Sequence, residues 1–317
     1  MGVRDITTVE YFSDNRRFAD IMNARFFQGR EIIKPEELAE ADKELLYPWK
    51  PKGEKVLRDN VMKWMGDTLL AIFVAEHQSE VDYHMVLRIM QQESMEYQRQ
   101  WRKKRKQHQK EKDLHTSAEF LSGMKKEDRF CPVLTLVVYY GEEPYDGATS
   151  LHELLDWKEQ TEEMKKYISD YHINVFDYHK QKKFEEFHTE LQVLFEFLRY
   201  ASNKKALEKL LAEKKDTYYN VDKETYEMIA VLTNSKEMLE YGKRHVGEEE
   251  NNMCQAITEM IEDGRREGEA LGRKEGEALG RKAEKISVAK NLLDILSDEV
   301  IAEKTGLDIE TVKALRG

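Results

Sequence analysis

A chain of 317 residues suffices for one large domain or two ordinary ones, and its formal net charge of −11 argues against a surface coated in basic residues for indiscriminate nucleic-acid binding. Two distant cysteines, Cys131 and Cys254, offer neither metal-ligand spacing nor a disulfide framework, which fits a reducing cytoplasm. No run approaches the roughly 18–20 apolar residues of a membrane span, and Met1 to Glu10 lacks the basic region and apolar core of a signal peptide, so a soluble cytoplasmic protein without membrane partners is expected.

Ser13-Asp14-Asn15 supplies helix-capping side chains, and Phe18, Ile21, Met22, Ala24 and Phe26 recur at helical spacing, predicting a helix over about 14–27 that Gly29 ends. A loop with Pro35, Pro48 and Pro51 follows. Lys55 to Met65 reads as a strand containing Asp59, and Thr68 to Gln78 as its hairpin partner across Gly66-Asp67. Asp82 to about Arg105 is an uninterrupted helix with Tyr83, Val86, Leu87, Met90, Met95 and Trp101 on one face. Cys131 to Tyr140 is β-branched, aromatic and followed by Gly141, the clearest strand in the chain. Ile173 to Tyr178 reads as a further strand, and Phe184 to about Glu262 as mostly helical. Helix, hairpin, helix and strand in that order indicate an α/β fold.

The apolar run Leu69 to Ala75 ends in Glu76-His77-Gln78. Alternate strand residues share a face, so Glu76 and Gln78 point the same way. A carboxylate at the end of a buried strand needs a partner. Asp59 lies on the neighbouring strand, about 4.8 Å away, so the two carboxylates can converge on one divalent ion. Ordinary ion pairs, Asp59 with Lys63 and Glu76 with Arg88, are the alternative. The His77 side chain should point away from Glu76 and Gln78.

Arg58-Asp59, the apolar strand, Glu76-His-Gln-Ser79, Met85-Val-Leu-Arg88, Pro132 to Gly141 and the opening Asn15-Arg-Arg-Phe-Ala-Asp-Ile-Met-Asn23 together resemble the recombination-promoting nuclease (putative transposase) family of the PD-(D/E)XK superfamily. The resemblance covers about residues 11–180. It implies a PD-(D/E)XK, restriction-endonuclease-like core, a mixed sheet flanked by helices, with an α-helical C-terminal extension. It also implies a metal-dependent DNA endonuclease linked to recombination or mobile elements. Asp59 and Glu76 would be metal ligands, the His77 backbone carbonyl a third, and Asp20, or less favourably Asp14, an added acidic group. The ion would be Mg²⁺, or another divalent cation such as Mn²⁺ or Ca²⁺. Gln78 occupies the superfamily's lysine position. Its amide can orient a water but supplies no charge. A nuclease-fold protein that binds DNA or acts as a scaffold with little or no catalysis is the alternative.

The basic run Arg99, Arg102, Lys103, Lys104, Arg105, Lys106, Lys110 and Lys112, interleaved with Tyr97 and Trp101, reads either as a phosphate grip for DNA or as a solvated helix end. Gln91 and Gln92 either line the cleft or are plain surface. Farther on, Gly264, Gly268, Gly272, Gly276 and Gly280 recur every four residues. Five helical glycines cost roughly 5 kcal/mol, and Glu269–Arg273 and Glu277–Arg281 return about 0.3–0.5 each. That segment should either pack on a partner helix, giving a homo-oligomer, or act as a linker. Ile301 to Val312 resembles a helix-turn-helix capped by Asp308, with Thr311, Lys313 and Arg316 able to face DNA, or a small helical cap without that role. The expected organisation is 1–180 nuclease-like, 181–262 helical extension, 263–284 glycine-repeat helix or linker, and 285–317 small helical module.

Overall fold

The computed structural model describes residues 3–46, 55–219, 221–244, 250–251, 273–274, 276–277 and 279–316. Pro48, Pro51, Cys254, Gly264, Gly268, Glu269 and Gly272 fall outside them. The chain divides into two compact units, Met1–Cys254 and Gln255–Gly317.

The first unit is a mixed α/β structure. Its centre is a five-stranded sheet in the order β1-β4-β5-β6-β7, where β1 is Leu38–Glu40, β4 Asn60–Met65, β5 Leu69–Gln78, β6 Val133–Tyr139 and β7 Asn174–Asp177. The β1–β4 and β4–β5 pairs are antiparallel, while β5–β6 and β6–β7 are parallel. Parallel neighbours need a crossover, and α3, Met85–Glu111, provides it between β5 and β6. The run Ala71 to Glu76 is buried throughout, because helices cover both faces.

Residues of one parity face α3. Ile72 and Val74 of β5 pack with Val61, Val133 and Tyr97, and Val137 of β6 packs with Met85, Val86 and Ile89. Residues of the other parity meet α1 (Val3–Tyr11), α2 (Asn15–Phe27) and α6 (Leu191–Tyr200). There the rings of Phe12 and His77 lie 4.9 Å apart, and Phe195 sits 6.3 Å from Tyr140 and 4.6 Å from Phe176. Asp14 caps α2 by accepting from the Arg16 amide at 2.7 Å, as its position predicts. Gly29 follows with φ +76°, and a Cβ there would meet the Glu186 carbonyl oxygen at 2.8 Å. Helices α4 (Ser117–Ser122) and α5 (Leu151–Leu154) flank β6, and α7 (Lys204–Glu213), α8 (Lys215–Tyr219), α9 (Lys223–Leu232) and α10 (Lys236–Arg244) continue the chain beyond α6. Buried Arg17 of α2 ties this helical part to the N-terminus, stacking on Tyr11 and pairing with Glu190, Asp222 and Glu224.

Three readings of the sequence change. The segment Lys55 to Met65 is two strands, β3 (Lys55–Leu57) and β4, with Arg58 and Asp59 between them. Strand β3 pairs with β2 (Glu44–Leu46) instead of the main sheet. The break has a cause: the Arg58 amide donates to the Lys43 carbonyl, and its guanidinium turns inward to Glu96 of α3. The helix α3 runs to Glu111, beyond the expected end near Arg105, and stops at Lys112 in a left-handed conformation. The N-terminal helix α1 went unread.

The second unit packs Ala289, Ile301 and Val312 around one another, with α11 (Asp298–Thr305) and α12 (Ile309–Arg316) joined at Gly306. Asp308 caps α12 as expected, accepting from the Thr311 amide at 2.8 Å. Arg316 is spent internally, donating to the Leu293 and Leu296 carbonyls and pairing with Asp298. Lys313 pairs with Glu310. Cβ positions at Gly276 and Gly280 meet nothing within 4 Å.

The Arg58–Glu96 pair, both side chains 1% exposed, fixes the chain just before Asp59. Breaking a buried pair leaves one charge uncompensated. Glu96→Ala is expected to cost about 3–5 kcal/mol in urea unfolding, and more than the double change Arg58→Met/Glu96→Met. Equal costs would remove the pair from this role.

Candidate metal centre

The antiparallel register sets Asn60 opposite Ala75, so one residue further Asp59 comes opposite Glu76 on the face that α3 covers. Asp59 has left the ladder, and its side chain takes over a ladder bond: Oδ2 accepts the His77 N–H at 2.8 Å. On the other edge of β5, the Tyr140 amide donates to the Gln78 carbonyl at 2.8 Å. The peptide groups of Gln78 therefore face β6 and those of His77 face Asp59. The His77 carbonyl thus shares a side with the two carboxylates. The His77 ring is on the opposite face of the sheet, as the alternation requires. Its Nδ1 lies 3.2 Å from the Tyr140 hydroxyl and its Nε2 2.9 Å from Asn60 Oδ1. Burial pushes its pKa down to about 3, so the ring is neutral.

Glu76 is wholly buried. Its Oε2 accepts from Arg88 Nη2 of α3 at 2.8 Å, while Oε1 has no hydrogen-bond partner. Burial first, and then the charge of Asp59, push its pKa up to about 7 against the pull of Arg88. Burial likewise raises the Asp59 pKa, with Asp5 of α1 adding to the rise while the His77 amide, Arg88 and Lys43 oppose it. Two carboxylates therefore share a desolvated site with too little positive charge. Other orphaned polar atoms lie on the same side. Both amide atoms of buried Gln92 and Nε of Arg58 have no partner. Gln92 stands on α3 one turn beyond Arg88, which touches Glu76, and one turn before Glu96, which touches Arg58.

This donor set fits a hard divalent cation. It consists of oxygens, two of them on carboxylates, with a strand carbonyl beside them and one buried carboxylate oxygen lacking any donor. Asp59, Glu76 and the His77 carbonyl would hold the ion. Gln78 shares the Glu76 face, is partly exposed, and no hydrogen bond holds its side chain among the described residues.

Asp20 is committed elsewhere: its carboxylate accepts from the His188 and Thr189 amides and from the Thr189 hydroxyl. Asp14 is the cap of α2. The N-terminal acidic residue whose charge reaches Asp59 is Asp5, which sequence reading passed over because α1 was not recognised. Of the basic run, Arg99 is bound to Glu96 and Asp42, Arg102 to Gln98, and Lys104 to Asp128, while Arg105 lies over the Trp101 ring. Lys103 and Lys106 are exposed and make no ion pair among the described residues. Gln91 is exposed and Gln92 buried. A second acidic group, His108, Glu111 and Asp113, is close enough to hold an ion. There Lys125 already pairs with Asp113, and both ring nitrogens of His108 bond to carboxylates, of Asp113 and Asp128, which raises the His108 pKa.

A carboxylic acid whose folded pKa lies above its unfolded one binds its proton more tightly when folded. Stability is then lost as pH rises from the unfolded value of 4.5 to about 7. In chelator, Glu76→Gln should gain on the wild type across that window by an amount on the order of 3 kcal/mol. Thermal unfolding of both proteins from pH 5 to 8 measures this, and a constant difference contradicts it.

No curated protein and no solved structure matches the chain. A family model described as "Putative transposase, YhgA-like" matches residues 68–228, a stretch that begins after Asp59 and includes Glu76, Gln78 and α3. With just over half of its length matched, the chain belongs to the YhgA-like putative transposase family.

Proposed function

We propose that the protein is a Mg²⁺-dependent DNA endonuclease of the PD-(D/E)XK type that hydrolyses phosphodiester bonds, acting in recombination or on mobile elements. The observation that carries this reading is buried Glu76 beside the half-buried Asp59, undercompensated in charge and with Glu76 Oε1 lacking a hydrogen-bond partner. The mixed sheet and the family membership support it.

A bound divalent ion supplies a water of lowered pKa and neutralises charge that builds on the phosphate. Asp59 and Glu76 bind it, and the His77 amide fixes the Asp59 carboxylate so that its second oxygen is presented. Gln78, whose side chain has no hydrogen bond among the described residues, orients the attacking water by its amide, but it can neither take the proton nor add positive charge. Lys103 and Lys106, unpaired among the described residues, bind DNA phosphates. The products would carry 5′-phosphates, as the superfamily resemblance implies.

Gln78 in place of lysine favours one other reading, a nuclease-fold protein that binds DNA without cutting it. Cleavage of supercoiled plasmid by the wild type, Asp59→Ala and Glu76→Ala, with and without Mg²⁺, separates the two. The expected result is Mg²⁺-dependent nicking by the wild type alone. Equal activity in all three proteins overturns the site, and salt-dependent binding without cutting in any of them supports the rival.

A further inference from the structure

Arg88 is the cation hydrogen-bonded to Glu76. It donates to Glu76 Oε2 at 2.8 Å, and its charge also opposes the rise that burial gives the Asp59 pKa. The two ends of this contact differ. Glu76 has no exposure and is packed within the sheet, whereas the Arg88 side chain is 33% exposed and reaches the site from the first turn of α3. Its other nitrogen is only loosely held, 3.7 Å from Asp82, which is itself partly exposed.

We propose that Arg88 stands in for the divalent ion and, when the ion binds, is displaced to hold the scissile phosphate. This rests on the nuclease reading and adds a residue and an order of events to it. A guanidinium bound to Glu76 and a divalent cation bound to the same carboxylate repel each other, so one charge must give way. The long, half-open side chain is the one able to do so. It stays anchored at its Cα beside the ion and presents a planar set of donors that matches two phosphate oxygens. Glu76 keeps a positive partner in both states, so the buried carboxylate is never left alone with Asp59. The orphaned Oε1 gives the incoming ion a first contact before the arginine leaves Oε2.

The test separates ion binding from cleavage. Mn²⁺ affinity is read by electron paramagnetic resonance without DNA, and plasmid nicking is read at saturating Mn²⁺. In Arg88→Met a competitor for Glu76 is gone, so Mn²⁺ should bind roughly tenfold more tightly. Nicking should nevertheless fall by about two orders of magnitude, with a raised KM for DNA. Arg88→Lys keeps the charge but not the planar fork, and should show near-wild-type Mn²⁺ affinity with intermediate nicking. A structural ion pair alone would weaken both readouts together. Weaker Mn²⁺ binding in Arg88→Met, or no change in either readout, overturns the proposal. Should Arg88→Met fail to fold, the nitrogen resonances of the Arg88 side chain in the wild type decide: they should shift on Mg²⁺ saturation, and unchanged resonances overturn it. If wild-type Mn²⁺ binding does not depend on Asp59 and Glu76, the nuclease reading itself fails, a result distinct from failure at Arg88 alone.

Discussion

The burial of one carboxylate, Glu76, beside a second, Asp59, organises the centre of this protein. Asp59, just before β4, comes opposite Glu76 of β5 beneath α3, and around the wholly buried Glu76 water is scarce and charge is poorly screened. Burial above all, and then the charge of Asp59, favours the protonated form of Glu76, which is why its pKa rises to about 7. A third, positive partner is the other solution. Arg88 is the cation bonded to Glu76, with the charge of Arg58 farther off, and together they do not offset the burial.

The surroundings place the pair rather than neutralise it. Arg58 is buried with Glu96, and this pins the backbone so that Asp59 leaves the ladder at the residue where its side chain reaches the His77 amide. The parallel pairing of β5 with β6 consumes the peptide groups of Gln78, so the carbonyl of His77 is turned to the acidic side. The neutral ring of His77 fills the aromatic layer of the opposite face. One strand of alternating residues thus separates a dry aromatic core from an acidic site by a single peptide bond.

The strands, the helix between them and the residues Asp59, Glu76 and Gln78 were legible because their signals are local: period, β-branching, and a charge that ends an apolar run. The sequence also allowed Arg88 as a partner of Glu76, and that pairing is present. Other features depend on chain segments far apart in sequence. Nothing local distinguishes Asp20, which caps the segment at His188 and Thr189, from a site residue. Asp5 reaches Asp59 only because α1 docks against β5 and α9. The split of residues 55–65 into two strands follows from the inward turn of Arg58, which no periodicity records. Much of the basic run on α3 also proved to be internally paired, because Glu96, Asp42 and Asp128 arrive from other turns and loops.

The central claim is that Asp59 and Glu76 are two parts of a divalent-ion site. Crystals soaked in Mn²⁺ and measured for anomalous scattering test it directly. The account predicts a peak between the two carboxylates, with the His77 carbonyl also at ligand distance, about 2.1 Å. A peak confined to His108, Glu111 and Asp113, or an empty map at the pair under saturating Mn²⁺, would contradict it.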